Sequence, residues 1–538
     1  MAEGDPAHSP PLPDTSVAGS IAIVLHAHLP YVRSGEPGSL EEDWYFQALQ
    51  ECYLPLLAML EAAAADQAQR PRLTLGLSPT LLSLLCDASL NARFSSWLQL
   101  RLELLDHAPA DHGAAAADLA HRLQQALLQW QACHGDLLPR FRRLQQQGVL
   151  DLISCAATHG YLPLLRDSPE AVRAQLMNAV REHRRLLGER PLGLWLPECA
   201  YFEGLDRLMA GCGLRYSLLD GHGLLHALPR PRYGIYAPIC STAGVAFFAR
   251  DSASTLPVWS ARDGYPGDPA YREFHRDLGW DVPESLLASA GIASRRPLGL
   301  KLHRVSGLDL PLEAKQPYQP EVAAGRVRAH AADYLAGRAT QLQRLATAIE
   351  RPPLLVAPFD AELFGHWWFE GPAFLGELFR QAGAAGVHFT HLRDVLAEPI
   401  PLQVCHPSPS SWGQGGYHNY WLNDTNAWVV PEWQRASRAM VRRVSRGVGS
   451  LEQRRLLTQA GRELLLAQSS DWSFILRAGT TTGLARDRIH RHLDRFWRLM
   501  DAIENGTPLP AGWLEAVEHD DGLFPDLNAA DWAVIEPG

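Results

Sequence analysis

PPLLVAPFDAELFGHWWFEG, residues 352–371, begins as an apolar run and ends in carboxylates, a histidine and a tryptophan pair. So short a run, opened by prolines and closed by acids, reads as a strand buried on both faces, as strands of a parallel sheet are. Side chains alternate along a strand, so Asp360 and Glu362 leave it on the same side.

Six other segments share this pattern: 20–28 (SIAIVLHAH), 72–79, 149–160, 191–198, 214–220 and 298–304. Helical patterns separate them, and about seven such units with long crossovers predict an α/β fold, a parallel barrel that need not close, over residues 20–400. No GxGxxG or GxxxxGK[ST] loop follows any strand, which argues against a nucleotide-binding sheet. Residues of about 95–147 carry apolar positions at helical spacing and predict a helical insertion between the second and third strands. The strand rhythm stops after 396, and the Pro/Ser/Gly-rich stretch PLQVCHPSPSSWGQGG (401–416) marks a boundary near 400. Beyond it, 401–538 predicts an all-α C-terminal domain. Residues 1–19 read as a disordered tail without the basic and apolar regions of a secretory signal.

With 46% apolar and 20% charged residues the chain has the composition of a folded enzyme rather than a disordered one. Its net charge of -10 is spread out and lacks basic clusters, so no nucleic-acid partner is expected. No apolar window is long enough to span a bilayer, so no membrane partner is expected either. The eight cysteines show no CxxC or zinc spacing, which fits reduced thiols in the cytoplasm. Oligomeric state is not legible.

In a parallel barrel the chemistry sits where strands end. The first strand ends in His26 and His28, on one side of an extended chain. The third ends in Thr158 and His159, the fourth in Trp195, Pro197 and Glu198, another in His303 and Arg304, and the last in Asp360 and Glu362. A carboxylate left alone in a buried place costs several kcal/mol, so Glu198 and Asp360 must be paired or functional. A structural ion pair is the competing use for either acid. Two strand-end acids from distant parts of the chain, both beside aromatics, are the minimum equipment for cleaving a glycosidic bond. A zinc site drawn from His26, His28, His159, His303 and His366 is the rival, but there is no HExxH helix, and a lone HxH is weak evidence. No GxSxG elbow supports a serine nucleophile.

HAHLPY (26–31), ATHGYLPLL (157–165), LWLPECAY (194–201), FDAELFGHWWFEGP (359–372) and the tryptophan-bearing start of the helical region resemble, in order, the five signature regions of glycoside hydrolase family 57. PRPRYGIYAP (229–238), the segment 259–281, KQPYQPE (315–321) and QSSDWSF are most similar to that family's 1,4-α-glucan branching enzymes. The resemblance implies a (β/α)7 barrel, a retaining mechanism on α-1,4-glucan, and neither metal nor cofactor. By motif position it makes Glu198 the nucleophile and Asp360 the proton donor. It further implies sugar contacts at Arg262, Gly279, Trp412 and Asp471. His26, His28 and His366 are expected to bind hydroxyls, with one of Trp367 and Trp368 lining the cleft and the other packing. Tyr236 or Tyr233 is expected to be the loop tyrosine that shields the intermediate. One departure is the short segment after Glu198, where the family carries a longer Pro-rich, basic stretch; it bears on the balance of transfer and hydrolysis. A 4-α-glucanotransferase, an α-amylase and a catalytically inert glucan-binding protein are the alternatives.

Overall fold

The computed structural model describes residues 18–33, 38–66, 70–292, 294–447 and 449–535. Most of the expected 1–19 tail lies outside the described residues; Ala18 and Gly19 lead straight into the first strand.

Ten strands form one curled sheet: β1 (Ser20–Ala27), β2 (Leu73–Leu77), β3 (Leu150–Cys155), β4 (Gly193–Trp195), β5 (Tyr216–Leu219), β6 (Ile239–Cys240), β7 (Ala246–Ala249), β8 (Leu354–Asp360), β9 (His388–Phe389) and β10 (Gln403–Val404). Their order is β10-β6-β7-β5-β4-β3-β2-β1-β8, with β9 beside β1. All pairs are parallel except the β6–β7 hairpin. Among the described residues no ladder joins β7 to β8, so the barrel is incomplete as expected. Two backbone bonds bridge the gap, Asp251 N–H to the Val356 carbonyl at 2.8 Å and Leu354 N–H to the Tyr236 carbonyl at 3.0 Å.

Alternation divides each strand between two cores. On β1, Ile21, Ile23 and Leu25 face the surrounding helices, while Ala22 and Val24 face the inside of the curl with Ile153, Cys155, Trp195, Phe248 and Val356. His26 continues the inner series of β1, and Asp360 continues that of β8 after Leu354 and Val356. The register β1–β8 sets these two residues opposite each other.

The expected strand at 298–304 is not one. Leu298, Leu300 and Leu302 are buried, but the backbone is held by irregular neighbours. The Asp277 carboxylate accepts the N–H groups of Leu298, Gly299 and Leu300, and Tyr318 donates to the Leu302 carbonyl. Once these groups are satisfied locally, nothing drives the segment into the sheet. The seventh barrel strand is β7 instead, whose four-residue run AFFA is too short to stand out.

The helical insertion is present as Phe94–Leu105, Gly113–Ala132 and Leu138–Gln146, between β2 and β3. A second long excursion, 250–353, separates β7 from β8 and ends in the helix Pro320–Ala348. After β10 the regular elements are helices, of which Leu451–Ala467, Ser470–Ala478 and Thr482–Asn505 pack together. Among the described residues no helix is long and apolar enough to cross a membrane.

Candidate active site

The ends of β1, β3, β4 and β8 surround a cavity of about 310 Å³ lined by His26, His28, His159, Glu198, Asp360, Glu362, His366, Trp367, Trp412 and Asp471, with Trp44 and Phe474 among the other walls. Strands from distant parts of the chain converge there because a parallel sheet brings all its carboxyl ends to one side.

β4 stops at Trp195, and the chain then makes a 3-10 turn, Pro197–Cys199, in which Glu198 (φ 60°) and Cys199 (φ 49°) are left-handed. For a non-glycine residue this is strained, and such strain persists where surrounding contacts over-determine it. Here the contacts come from beyond the barrel. The Trp412 indole N–H donates to Glu198 Oε2 at 2.8 Å, and the Ser470 hydroxyl donates to Oε1 at 2.9 Å. Burial first, then the Asp360 charge, still push the Glu198 carboxyl up to about 7 against these donors. Asp360 has no side-chain hydrogen-bond partner among the described residues; burial, then the neighbouring Glu362, drive its carboxyl well above the usual range. The two acids therefore differ: one carboxylate is held by donors, the other is bare and favours its protonated form.

Asp471 is the opposite case. Burial would raise it, but His28, at 3.1 Å from Nε2 to Oδ2, and the Ser469 hydroxyl bring it down to about 2. His28 also meets Ser78 Oγ through Nδ1 at 2.9 Å and stacks on His159 at 4.0 Å. His159 binds Ser470 Oγ through Nδ1 and His26 through Nε2. Burial holds His26 and His159 well below the usual imidazole range, so both are neutral at neutral pH. Ligand atoms of His28, His159 and Asp471 lie within 4.8 Å of one another, near enough for a cation, yet every ring nitrogen of these two histidines already has a hydrogen-bond partner.

The remaining expected residues divide. Trp367 lines the cavity and is 45% exposed, whereas Trp368 is buried against Phe374 at 4.8 Å. Arg262 is exposed on the loop after Trp259, whose indole lies 6.4 Å from Trp367 and 6.0 Å from Trp412, and it does not line the cavity. Gly279 also lies off the wall: a Cβ there would meet the Arg296 carbonyl at 2.2 Å, so its smallness serves packing. Tyr236 and Tyr233 need correcting. The Tyr236 carbonyl is bonded to Leu354 N–H at the start of β8, six residues before Asp360 or about 20 Å along a strand, and Tyr233 sits beside Arg351. Both tyrosines therefore lie toward the end of the barrel where β8 begins, off the cavity wall and away from Glu198 and Asp360. His303 pairs with His112 at 2.9 Å, away from the cavity, and Arg304 donates to the Pro269 carbonyl.

Sequence reasoning did not single out Ser470, although it stands beside Asp471 in QSSDWSF. It also missed Glu51 and Tyr53, from the turn Leu49–Tyr53, which hold His366 and Glu362 from behind. A glutamate inside the apolar run LQECYLPLL was the available signal.

Residues 22–280 match the family model for glycosyl hydrolase family 57, and 432–532 match the model for the C-terminal region of 1,4-alpha-glucan branching enzymes. The chain is 32% identical to a 1,4-alpha-glucan branching enzyme of Thermococcus kodakarensis over 95% of this chain and 77% of that protein. Among solved structures it is similar to the alpha-amylase AmyC of Thermotoga maritima (34% identity, TM-score 0.89, covering 96% of this chain and 100% of that one). It is also similar to a branching enzyme of Pyrococcus horikoshii (30% identity, TM-score 0.86, covering 97% and 98%).

Proposed function

The chain belongs to glycoside hydrolase family 57, and from that premise we propose that it is a 1,4-α-glucan branching enzyme with Glu198 as nucleophile and Asp360 as general acid and base. The observation that carries the assignment is the unequal pair of acids on one cavity wall. The Trp412 and Ser470 donors favour the Glu198 carboxylate, while burial and the neighbouring Glu362 raise the unpartnered Asp360 carboxyl well above its usual range and favour the protonated form a general acid needs.

Glu198 attacks the anomeric carbon of an α-1,4-linked residue while Asp360 passes its proton to the departing 4-oxygen. The covalent glycosyl-enzyme then meets the 6-hydroxyl of an acceptor chain. Asp360, now a carboxylate, takes that proton, the acceptor oxygen displaces Glu198, and an α-1,6 branch forms with configuration retained. Trp44, Trp367, Trp412 and Phe474 offer flat apolar faces for sugar rings, and His366 Nε2 and the Asp471 carboxylate offer polar atoms for hydroxyls, whereas the expected hydroxyl binders His26 and His28 have their Nε2 atoms engaged by His159 and Asp471. A glucan reaching beyond the rim passes Trp259 and the exposed Arg262. All eight cysteines are free, which fits a glycogen-like substrate handled in a reducing compartment such as the cytoplasm.

The α-amylase likeness favours one second reading, in which water replaces the acceptor; among the described residues, none of those lining the cavity is a tyrosine that could shield the intermediate. Incubation with amylose followed by proton NMR separates the two. New α-1,6 anomeric signals are expected, and exclusively linear products would refute branching.

A further inference from the structure

We propose that Glu51 is a positioning residue for glycosyl transfer: it fixes the proton of His366 on Nδ1 and so reserves Nε2 for a sugar hydroxyl. The inference rests on the cavity being the glucan site. The helical stretch Leu40–Ala64 is widened between its two α-helical parts by a π-turn, Leu49–Tyr53. Such turns are rare and frequent at functional sites. This one places a fully buried carboxylate behind the cavity wall. Glu51 Oε1 accepts from Arg272 Nη2 at 2.9 Å, and Oε2 lies 2.5 Å from His366 Nδ1.

Burial alone would raise the Glu51 carboxyl, but Lys301 and Arg272 bring it down to about 2. An ionised carboxylate has no proton to give, so His366 Nδ1 must be the donor whatever the charge on the ring. His366 lines the cavity, and its Nε2 has no protein partner among the described residues. Phe274 packs edge-on against the ring at 5.4 Å. Gly365 presses the loop onto the π-turn so closely that a Cβ would come within 1.8 Å of the Glu51 carbonyl oxygen. Ring orientation and proton position are thus both set from behind, while one nitrogen is left to the substrate.

A glutamine at 51 offers a sharp test. Arg272 has only donors, so the amide oxygen must face it and the amide NH2 must face His366 Nδ1. His366 is then forced into the Nε2–H form, and the polarity presented to the sugar reverses. In full-length protein labelled with 15N-histidine, the His366 signals, identified by their loss in His366→Ala, should report Nδ1–H in the wild type and neutral Nε2–H in Glu51→Gln. Amylose turnover should fall by roughly tenfold to a hundredfold in kcat, as when outer partners of oriented imidazoles are removed, and the double variant should be no slower than His366→Ala. Additive losses, or a wild-type His366 in the neutral Nε2–H form, would overturn the proposal. The wild-type spectrum decides even if the glutamine variant fails to fold. A wild type that leaves amylose untouched would refute the glucan site itself, independently of Glu51.

Discussion

Glu198 combines a left-handed backbone with a carboxyl whose proton is held up to about 7. A carboxyl raised in the folded state binds more protons there than in the unfolded chain, so stability falls as pH rises from about 4.5 through 7. That difference corresponds to roughly 3 kcal/mol at most. Glu198→Gln, which cannot ionise, is therefore expected to raise Tm at pH 8 and to lose that gain below pH 5, while turnover drops by roughly a thousandfold or more. Calorimetry at the two pH values checks the first part, and an amylose assay with a glucan-binding measurement checks the second. Trp412→Phe removes one of the two donors to the Glu198 carboxylate. Its proton then stays on to higher pH, so the acid limb of the pH–rate profile should move upward. A limb that stays in place would show that the indole contact does not tune the Glu198 carboxyl.

At the scale of elements, period-two alternation did most of the placing. β1 and β8 carry His26 and Asp360 on their inner faces, and their register makes the two direct neighbours. Both segments were legible because each is a long apolar run ended by polar residues. The run at 298–304 looked the same and is not a strand, since periodicity reports burial and extension but not the partner that satisfies the backbone. After β8 the motif FGHWW depends on Gly365, with φ 120° and the π-turn backbone directly against it. Gly365→Ala should therefore push the His366 loop off Glu51 and lower Tm by several degrees with a larger loss of kcat than of Tm-adjusted fold content. Circular dichroism melts beside steady-state rates provide the comparison.

At the scale of the molecule, barrel and helical region share one site. Trp412 follows the last strand, and Ser470 N–H is bonded to the His159 carbonyl at 3.0 Å, which seats the helix Ser470–Ala478 on the end of β3. The chain end braces this bundle. Trp532 is fully buried against the helix containing Gly461, and Asp531 pairs with Arg181 at 2.9 Å. Trp532→Ala should cost about 3–5 kcal/mol of stability. Because Ser470 and Asp471 depend on the same bundle, activity should be lost on heating in step with the melt, with no active barrel surviving it. The sequence by itself determined the α/β barrel and the inserted and C-terminal helices, and it placed Glu198 and Asp360 at strand ends, since strand runs and strand-end polar residues are local patterns. Only the tertiary structure decided which acid is held by donors, that Tyr233 and Tyr236 lie far from the mouth, and that Glu51 and Ser470 reach the site. Those facts depend on contacts between residues hundreds of positions apart, which no local pattern records.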